Sequence, residues 1–392
     1  MVAMLGLLVA ALAAPNPVTG PKKDDGGFQT AAPYAILIDA DTGSVLFEKD
    51  ADGLTAPSSL AKLMTAEIVF NEIKSGRLSK DDEFIISENA WRRGGAPSRT
   101  SSMFAPIHSK VRVEDLLRGL IIQSGNDAAI ALAEGIAGNE PAFAALMNKR
   151  ARELGLTRSY FANSSGLPDP ATKVTVRDLA KLARHIIRTY PEFYPIYGEP
   201  EFTWNKIRQR NRNPLLPLNI GADGMKTGYT REGGFGLVGS AVHDGLRLIV
   251  VVNGLKSSKD RADEARKLLQ WGFSGFERRP LFGEGQVIGQ ARVYGGDQMS
   301  VPLTGAGKIA ILLPRNSRDR LSAKITYTGP VRAPVAEGQQ IGLLKVYRDD
   351  NVALEVPLQA AQSVDRGNLP RRAFDAASEL IIGVVRAGIA KI

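Results

Sequence analysis

Ser59 and Lys62 stand three residues apart in Pro57-Ser58-Ser59-Leu60-Ala61-Lys62, and no other serine in the chain has lysine at that offset. A serine hydroxyl is a poor nucleophile until a nearby base takes its proton. Lysine becomes such a base when burial or neighbouring positive charge lowers its pKa. On a helix, residues i and i+3 share a face, so the amine reaches the hydroxyl. The helix start adds backbone N–H groups and positive potential where an oxyanion would form. The run LAKLMTAEIVF that carries Lys62 is mostly apolar, which predicts a buried lysine. A buried lysine needs a reason.

Two further triplets have chemistry-bearing residues. Ser124-Gly125-Asn126 lies between the apolar run Leu116–Gln123 and a helix predicted to open at Asp127, so its polar groups are placed to face inward. Ser87-Glu88-Asn89 repeats the pattern within a charged stretch and reads as solvated surface. Lys226-Thr227-Gly228 occurs once, after Gly224-Met225 and ahead of Gly233-Gly234 and a strand. A cation and a hydroxyl suit a carboxylate. Gly228, with no side chain, lets a substrate pack against the strand edge.

Other chemistries are excluded by composition. The 392 residues include no cysteine, which removes disulfides, thiolate catalysis and cysteine metal sites. The three histidines, His108, His185 and His243, have no metal-ligand spacing, and no G-x-S-x-G elbow accompanies them. No metal or cofactor is expected. A hydrophobic content of 44% with 23% charged residues is that of a soluble globular chain. The net charge of +9 favours anionic surfaces, but its basic residues are spread along the chain, so nucleic acid is not an expected partner.

These residues must be positioned by a mixed set of elements. YAILIDA and SVLFEK flank Asp41-Thr42-Gly43 as a hairpin over residues 34–49. A helix is predicted from Ser59 to about Lys74, then a loop-rich stretch over 80–110. Helices follow at Val113–Gln123, Asp127–Ala137, Pro141–Leu154 and Val176–Arg188. From Phe202 the pattern turns to strands, with Phe235–Val242 and Leu246–Asn253 joined by His243-Asp244-Gly245, and a last helix at Asp263–Trp271. This order predicts an α+β (mixed α/β) architecture, a helical cluster packed on an antiparallel sheet. After a break at Arg279-Pro280, short β-rich stretches alternate with turns to about residue 360, which reads as a small sandwich-like all-β domain.

Residues 4–14, MLGLLVAALAA, have the length and small-residue ending of a signal-peptide core, although no Lys or Arg precedes them. A buried N-terminal helix is the alternative. Between Arg371 and Gly388, Phe374, Ala377, Ile381, Val384 and Val385 recur at steps of three and four among charged residues. That is an amphipathic helix, able to lie on a membrane surface or to dock on a domain.

In order, S-x-x-K, S-x-N and K-T-G match the motif set of class A β-lactamases and penicillin-binding proteins. From Tyr34 onward the chain resembles a low-molecular-weight penicillin-binding protein, a serine D-alanyl-D-alanine carboxypeptidase. APSSLAKLMT, IIQSGNDA, NKIRQRNRNPLL, DGMKTGYT and EARKLLQWGF carry that likeness. The resemblance implies a β-lactamase/transpeptidase-like catalytic domain, a β-rich second domain and a C-terminal amphipathic anchor. The division is then a signal peptide (1–14), a linker (15–32), a catalytic domain (33–276), a β-rich domain (277–365) and a membrane-associating helix (366–392).

By resemblance, Ser59 is the acylated residue, Lys62 its base, Ser124 a proton relay and Asn126 a ligand of the substrate amide. Lys226 and Thr227 bind the terminal carboxylate, and the backbone N–H groups of Ser59 and Tyr229 form the oxyanion hole. Arg212 and Arg261 match arginines at the carboxylate end, surface salt bridges being their other reading. The implied partners are a peptidoglycan stem peptide, β-lactams as inhibitors and a membrane surface, with a periplasmic or other extracytoplasmic location. Tyr229 stands where some relatives have histidine, and Ser164-Ser165-Gly166-Leu167 where some have His-Gly-Leu. A class A-like β-lactamase is the nearest rival, but no E-x-x-L-N stretch lies between Asn126 and Lys226. A D,D-endopeptidase side activity and a non-catalytic wall-binding scaffold are further alternatives.

Overall fold

Tyr34–Asp39 (β1) and Val45–Lys49 (β2) form the expected hairpin. They open a computed structural model that describes residues 28–370 and 372–373, apart from 316, 318, 319, 349 and 350. A 3-10 turn at Ser58–Ala61 runs directly into α1 (Lys62–Lys74). Next come β3 (Glu83–Ile85), α2 (Glu88–Gly94), β4 (Lys110–Arg112), α3 (Val113–Ile121), α4 (Asn126–Ala137), α5 (Glu140–Glu153) and α6 (Val176–Thr189). A ribbon of β5 (Glu201–Trp204) and β6 (Ile207–Arg210) precedes β7 (Ala222–Thr230), β8 (Gly234–His243), β9 (Leu246–Leu255) and α7 (Ser258–Gly275).

The main sheet has the order β2-β1-β9-β8-β7, with every neighbour antiparallel. Side chains alternate across it. Ile36, Ile38, Ile249 and Val251 enter the core shared with the helices. Leu37 and Leu248 face α7, where a Cβ on Gly272 would lie 2.6 Å from each of them. Both faces are covered, which explains why β1 and β9 read as unbroken apolar runs. β7 is left at the sheet edge, with no partner strand on its outer side among the described residues.

The centre of the helical layer is α1. Every residue from Lys62 to Phe70 is buried, as expected of a helix that is apolar nearly all round. Its buried acid, Glu67, is anchored from outside. Glu67 Oε1 accepts from Arg150 on α5 (2.9 and 3.0 Å) and from the Tyr190 hydroxyl (2.9 Å), and lies 3.1 Å from His185 Nε2 on α6. Burial alone would raise the Glu67 pKa, but these partners outweigh it and hold the carboxyl below its usual range. The charge thus locks α1 to two neighbouring helices.

The structure departs from sequence expectation in three places. The stretch read as loop contains α2, whose N-cap is Ser87, accepting the Ala90 N–H at 2.9 Å. The second S-x-N copy is therefore a helix cap. The last helix runs well beyond Asp263–Trp271 at both ends. Arg279-Pro280, read as a break, lies inside the strand Phe276–Phe282.

The chain divides between Gly275 and Phe276 into two compact units. The second holds β10 (Phe276–Phe282), β11 (Gly289–Tyr294), β12 (Ser300–Gly305), β13 (Ile309–Pro314), β14 (Leu321–Tyr327), β15 (Val331–Arg332), β16 (Gln340–Arg348) and β17 (Asn351–Ala360). Six of these form a sheet ordered β14-β16-β17-β12-β11-β15, while β10 and β13 make a two-stranded ribbon. Among the described residues the ribbon leaves one side of β10 without a partner strand, the setting in which a strand tolerates a proline. Val301, Leu303, Ile311, Leu313, Leu344 and Val346 are among the residues of its core. The signal-like run 4–14, the linker up to residue 27 and residues 374–392 lie outside the described residues. No described helix is long and apolar enough to cross a membrane.

Candidate active site

Ser59 sits in the 3-10 turn one step after a left-handed residue, Ser58, at φ +53°. Non-glycine residues rarely adopt that conformation, so the neighbours must hold it. Ser58 Oγ lies 2.9 Å from Thr230 Oγ1 at the end of β7. On the other side, the Ser58 carbonyl packs on the bare Cα of Gly166, itself at φ +73°; a Cβ there would come within 1.8 Å of the Ser58 oxygen. Gly166→Ala should therefore cost roughly 2 kcal/mol of stability or more. It should also slow acylation, because the displaced carbonyl moves with Ser59. Thermal melting and the rate of penicillin labelling read both effects.

Lys62 opens α1 one turn after Ser59 and is fully buried. Its Nζ has three near neighbours. It donates to Asn126 Oδ1 at 2.6 Å and to the Ser165 carbonyl at 2.5 Å, and it lies 3.1 Å from Ser59 Oγ. A carbonyl oxygen can only accept. A neutral amine has two N–H bonds and one lone pair, so the two carbonyls take the hydrogens and the lone pair is left for the Ser59 hydroxyl. Burial, joined by the Arg212 charge, lowers the Lys62 pKa to about 7, against the pull of Asp127 and Glu140. Near neutral pH a large share of the side chain is that free amine.

Ser124 lies between α3 and α4 in the left-handed region, at φ +59°. Its Oγ is buried and has no hydrogen-bond partner among the described residues. Such a group is costly unless something else completes it. Asn126, the first residue of α4, turns its amide nitrogen to Thr100 Oγ1 at 2.9 Å while its oxygen meets Lys62. The loop that supplies Thr100 is clamped by Asp127. That carboxylate accepts from Ser102 Oγ (2.7 Å) and from the N–H groups of Met103, Ala105 and Ala128.

Lys226, Thr227 and Gly228 lie within β7, which crosses the serine turn. A Cβ on Gly228 would stand 2.9 Å from the Pro57 carbonyl and 3.2 Å from Ser58 Cβ, so the glycine also lets the strand pass over the turn. Lys226 is buried, and its Nζ donates to the Thr227 carbonyl at 3.2 Å. Burial holds its pKa well below the ordinary lysine value, and Lys62, Arg212 and Arg261 add to the effect. Tyr229 is half exposed, with its ring stacked on Phe235. Arg212 donates to Ser101 Oγ at 2.5 Å, and Arg261 lies over the Phe235 ring. Neither arginine meets a carboxylate among the described residues, so neither is a surface salt bridge.

All ten residues singled out from sequence thus cluster around the serine turn, α4, β7 and the start of α7. Sequence reasoning missed the Ser165 carbonyl, the Thr100–Ser101 loop and the Asp127 clamp. A backbone carbonyl has no residue-type signature. The one available signal was Asn163-Ser164-Ser165-Gly166, a turn set by the Asn163 side chain, which accepts the Gly166 N–H at 2.7 Å.

Residues 19–257 match the family described as D-alanyl-D-alanine carboxypeptidase, and residues 276–366 match penicillin-binding protein 5, C-terminal domain. The chain is 40% identical over 343 residues to D-alanyl-D-alanine carboxypeptidase DacD of Salmonella typhimurium, covering 87% of this chain and 88% of that protein. It is 41% identical over 345 residues to DacC of Escherichia coli, covering 87% and 86%. Among solved structures, penicillin-binding protein 5 of Haemophilus influenzae matches with a TM-score of 0.78 and 39% identity, over 88% of this chain and all of that one. The serine–lysine pair, the helices-on-sheet fold and these matches agree: the chain belongs to the D-alanyl-D-alanine carboxypeptidase family and is a serine-type D-Ala-D-Ala carboxypeptidase.

Proposed function

We propose that the chain removes the terminal D-alanine of peptidoglycan stem pentapeptides through an acyl-enzyme on Ser59. The observation that carries this is the Lys62 amine, stripped of water and turned toward the Ser59 hydroxyl by Asn126 and Ser165. Lys62 takes the hydroxyl proton as Ser59 Oγ bonds to the carbonyl carbon of the penultimate D-alanine. The oxyanion rests on the N–H groups of Ser59 and Tyr229. The C–N bond then breaks, and the Ser124 hydroxyl, which has no partner among the described residues, relays the proton to the departing amine. Terminal D-alanine leaves. Water attacks the ester, Ser59 recovers its proton, and a tetrapeptide-ended stem is released that cannot donate in cross-linking.

Substrate recognition follows from charge. Lys226 and Thr227 receive the terminal carboxylate, with Arg212 and Arg261 beside them. Asn126 reaches the substrate amide. β-Lactams acylate the same serine and act as inhibitors. Family members are extracytoplasmic cell-wall enzymes. The signal-like run at residues 4–14 supports export of this chain. The amphipathic, basic stretch over 371–388 supports peripheral attachment to the outer face of the cytoplasmic membrane. The domain division follows the same pattern, a catalytic domain over 33–276 and a β-rich domain over 277–365.

The test is D-alanine release from a synthetic peptide ending in D-Ala-D-Ala, followed against pH. The base works only when deprotonated, so the acylation efficiency should rise with pH around a midpoint of about 7. An enzyme with no rise between pH 5 and 9, or with no D-alanine released, would overturn the reading.

A further inference from the structure

Arg261 is an arginine without the usual company. It belongs to the first turn of α7, is partly buried, and its Nε is sealed from solvent. Among the described residues its guanidinium has no carboxylate and no hydrogen-bond acceptor. Other partly buried arginines of this protein are fixed by acids: Arg150 by Glu67, Arg177 by Glu48 and Asp52, Arg247 by Asp223. What Arg261 has is a ring, with its Cζ 5.6 Å from the centroid of Phe235. Tyr229 and Phe235 are directly paired across β7 and β8, with centroids 4.2 Å apart and planes 28° apart. Phe235 is thus the ring that both Tyr229 and Arg261 meet, and Tyr229 is the residue after Lys226-Thr227-Gly228.

We propose that Phe235 is a positioning residue that holds the Arg261 guanidinium on its ring face, so that the cation meets the substrate's terminal carboxylate. The inference rests on the proposed reading of Arg261 as a carboxylate ligand and deepens it. A long side chain with no acceptor to hold it would otherwise turn toward water, because the charged end of arginine is strongly drawn to solvent. The π-face attracts a guanidinium and leaves its N–H edges free. Those edges stay available for a bidentate bond to an incoming anion. An acid in place of the ring would fix the arginine equally well, but would also neutralise it. The ring thus orients the charge without consuming it. Arg261 already acts electrostatically on Lys226, which places both cations at one end of the site.

The test compares a peptide ending in D-Ala-D-Ala with its C-terminal carboxamide. Phe235→Leu should raise KM for the acid about tenfold with kcat little changed, the mark of lost uniform binding. For the carboxamide it should behave as wild type. Arg261→Gln should give the same pattern, and the double variant should be no worse than Arg261→Gln alone. Phe235→Tyr keeps a ring face and should restore the wild-type KM. Should Phe235→Leu not fold, Phe235→Met, which fills the same space without a ring face, serves instead, with a similar rise for the acid only. If Arg261→Gln raises KM for the acid and Phe235→Leu does not, or if the two effects multiply, Phe235 does not act through Arg261 and the proposal falls. If Arg261→Gln leaves the acid and the carboxamide unaffected alike, the carboxylate reading of Arg261 itself fails.

Discussion

Ser59→Ala should bind β-lactam and peptide but form no covalent adduct, and D-alanine release should fall by roughly 10⁴-fold or more. Ser59 is the atom donor for the acyl bond, so nothing else in the site can stand in for it. Lys62 is buried and occupied by two carbonyls, and Ser124 Oγ lies on the far side of the reacting bond in the proposed mechanism. The loss of one partly buried hydroxyl has little structural cost, so the variant should fold. Intact-protein mass spectrometry after brief exposure to benzylpenicillin is the direct measurement. Wild type should gain the mass of one drug molecule, and Ser59→Ala none. An adduct on the variant would place the nucleophile elsewhere. Rapid drug turnover by wild type without an adduct would move the assignment toward a β-lactamase.

Lys62→Arg should be nearly as inactive, by about 10³-fold, even though the positive charge is kept. If Lys62 served only as a fixed cation near Ser59, arginine would retain much of the rate. As a base it must release a proton near neutral pH, and a guanidinium cannot do so in a protein. The lysine reaches that condition because burial and Arg212 together lower its pKa to about 7. The same variant should also lose the rise in rate around pH 7. Stopped-flow acylation by a chromogenic β-lactam, compared at pH 6 and pH 8, reads both results. A variant with wild-type rate at pH 8 would show that Lys62 is not the base.

Much of this site is legible in one dimension because its parts are short and local. The Ser59–Lys62 offset is set by a single turn, so the pair could be read from spacing alone. Ser124–Asn126 and Lys226–Gly228 are each contiguous. The hairpin at 34–49 and the apolar length of α1 followed from periodicity. The errors arose where a weak local signal had a tertiary answer. Residues 88–94 carry too much charge for an apolar stripe, yet Ser87 caps them and Gly94 packs on the start of α4. Pro280 reads as a breaker, yet β10 has a single neighbouring strand among the described residues and tolerates it.

Residue types, their order and the local offset of Ser59 and Lys62 were determined by the sequence alone, because a helix turn or a strand fixes such spacing without help from distant chain. The direction of the Lys62 lone pair was decided only in three dimensions. It depends on Asn126 and Ser165, which lie 64 and 103 residues further along the chain. The lowered pKa is likewise a tertiary property. Desolvation is the work of packed neighbours from several helices, and the added repulsion comes from Arg212, far off in sequence. The Ser124 hydroxyl, without a partner among the described residues, and the contacts of Phe235 with Tyr229 and Arg261 belong to the same class. Each is a relation between groups that only folding brings within reach, and no residue type encodes which partner it will meet.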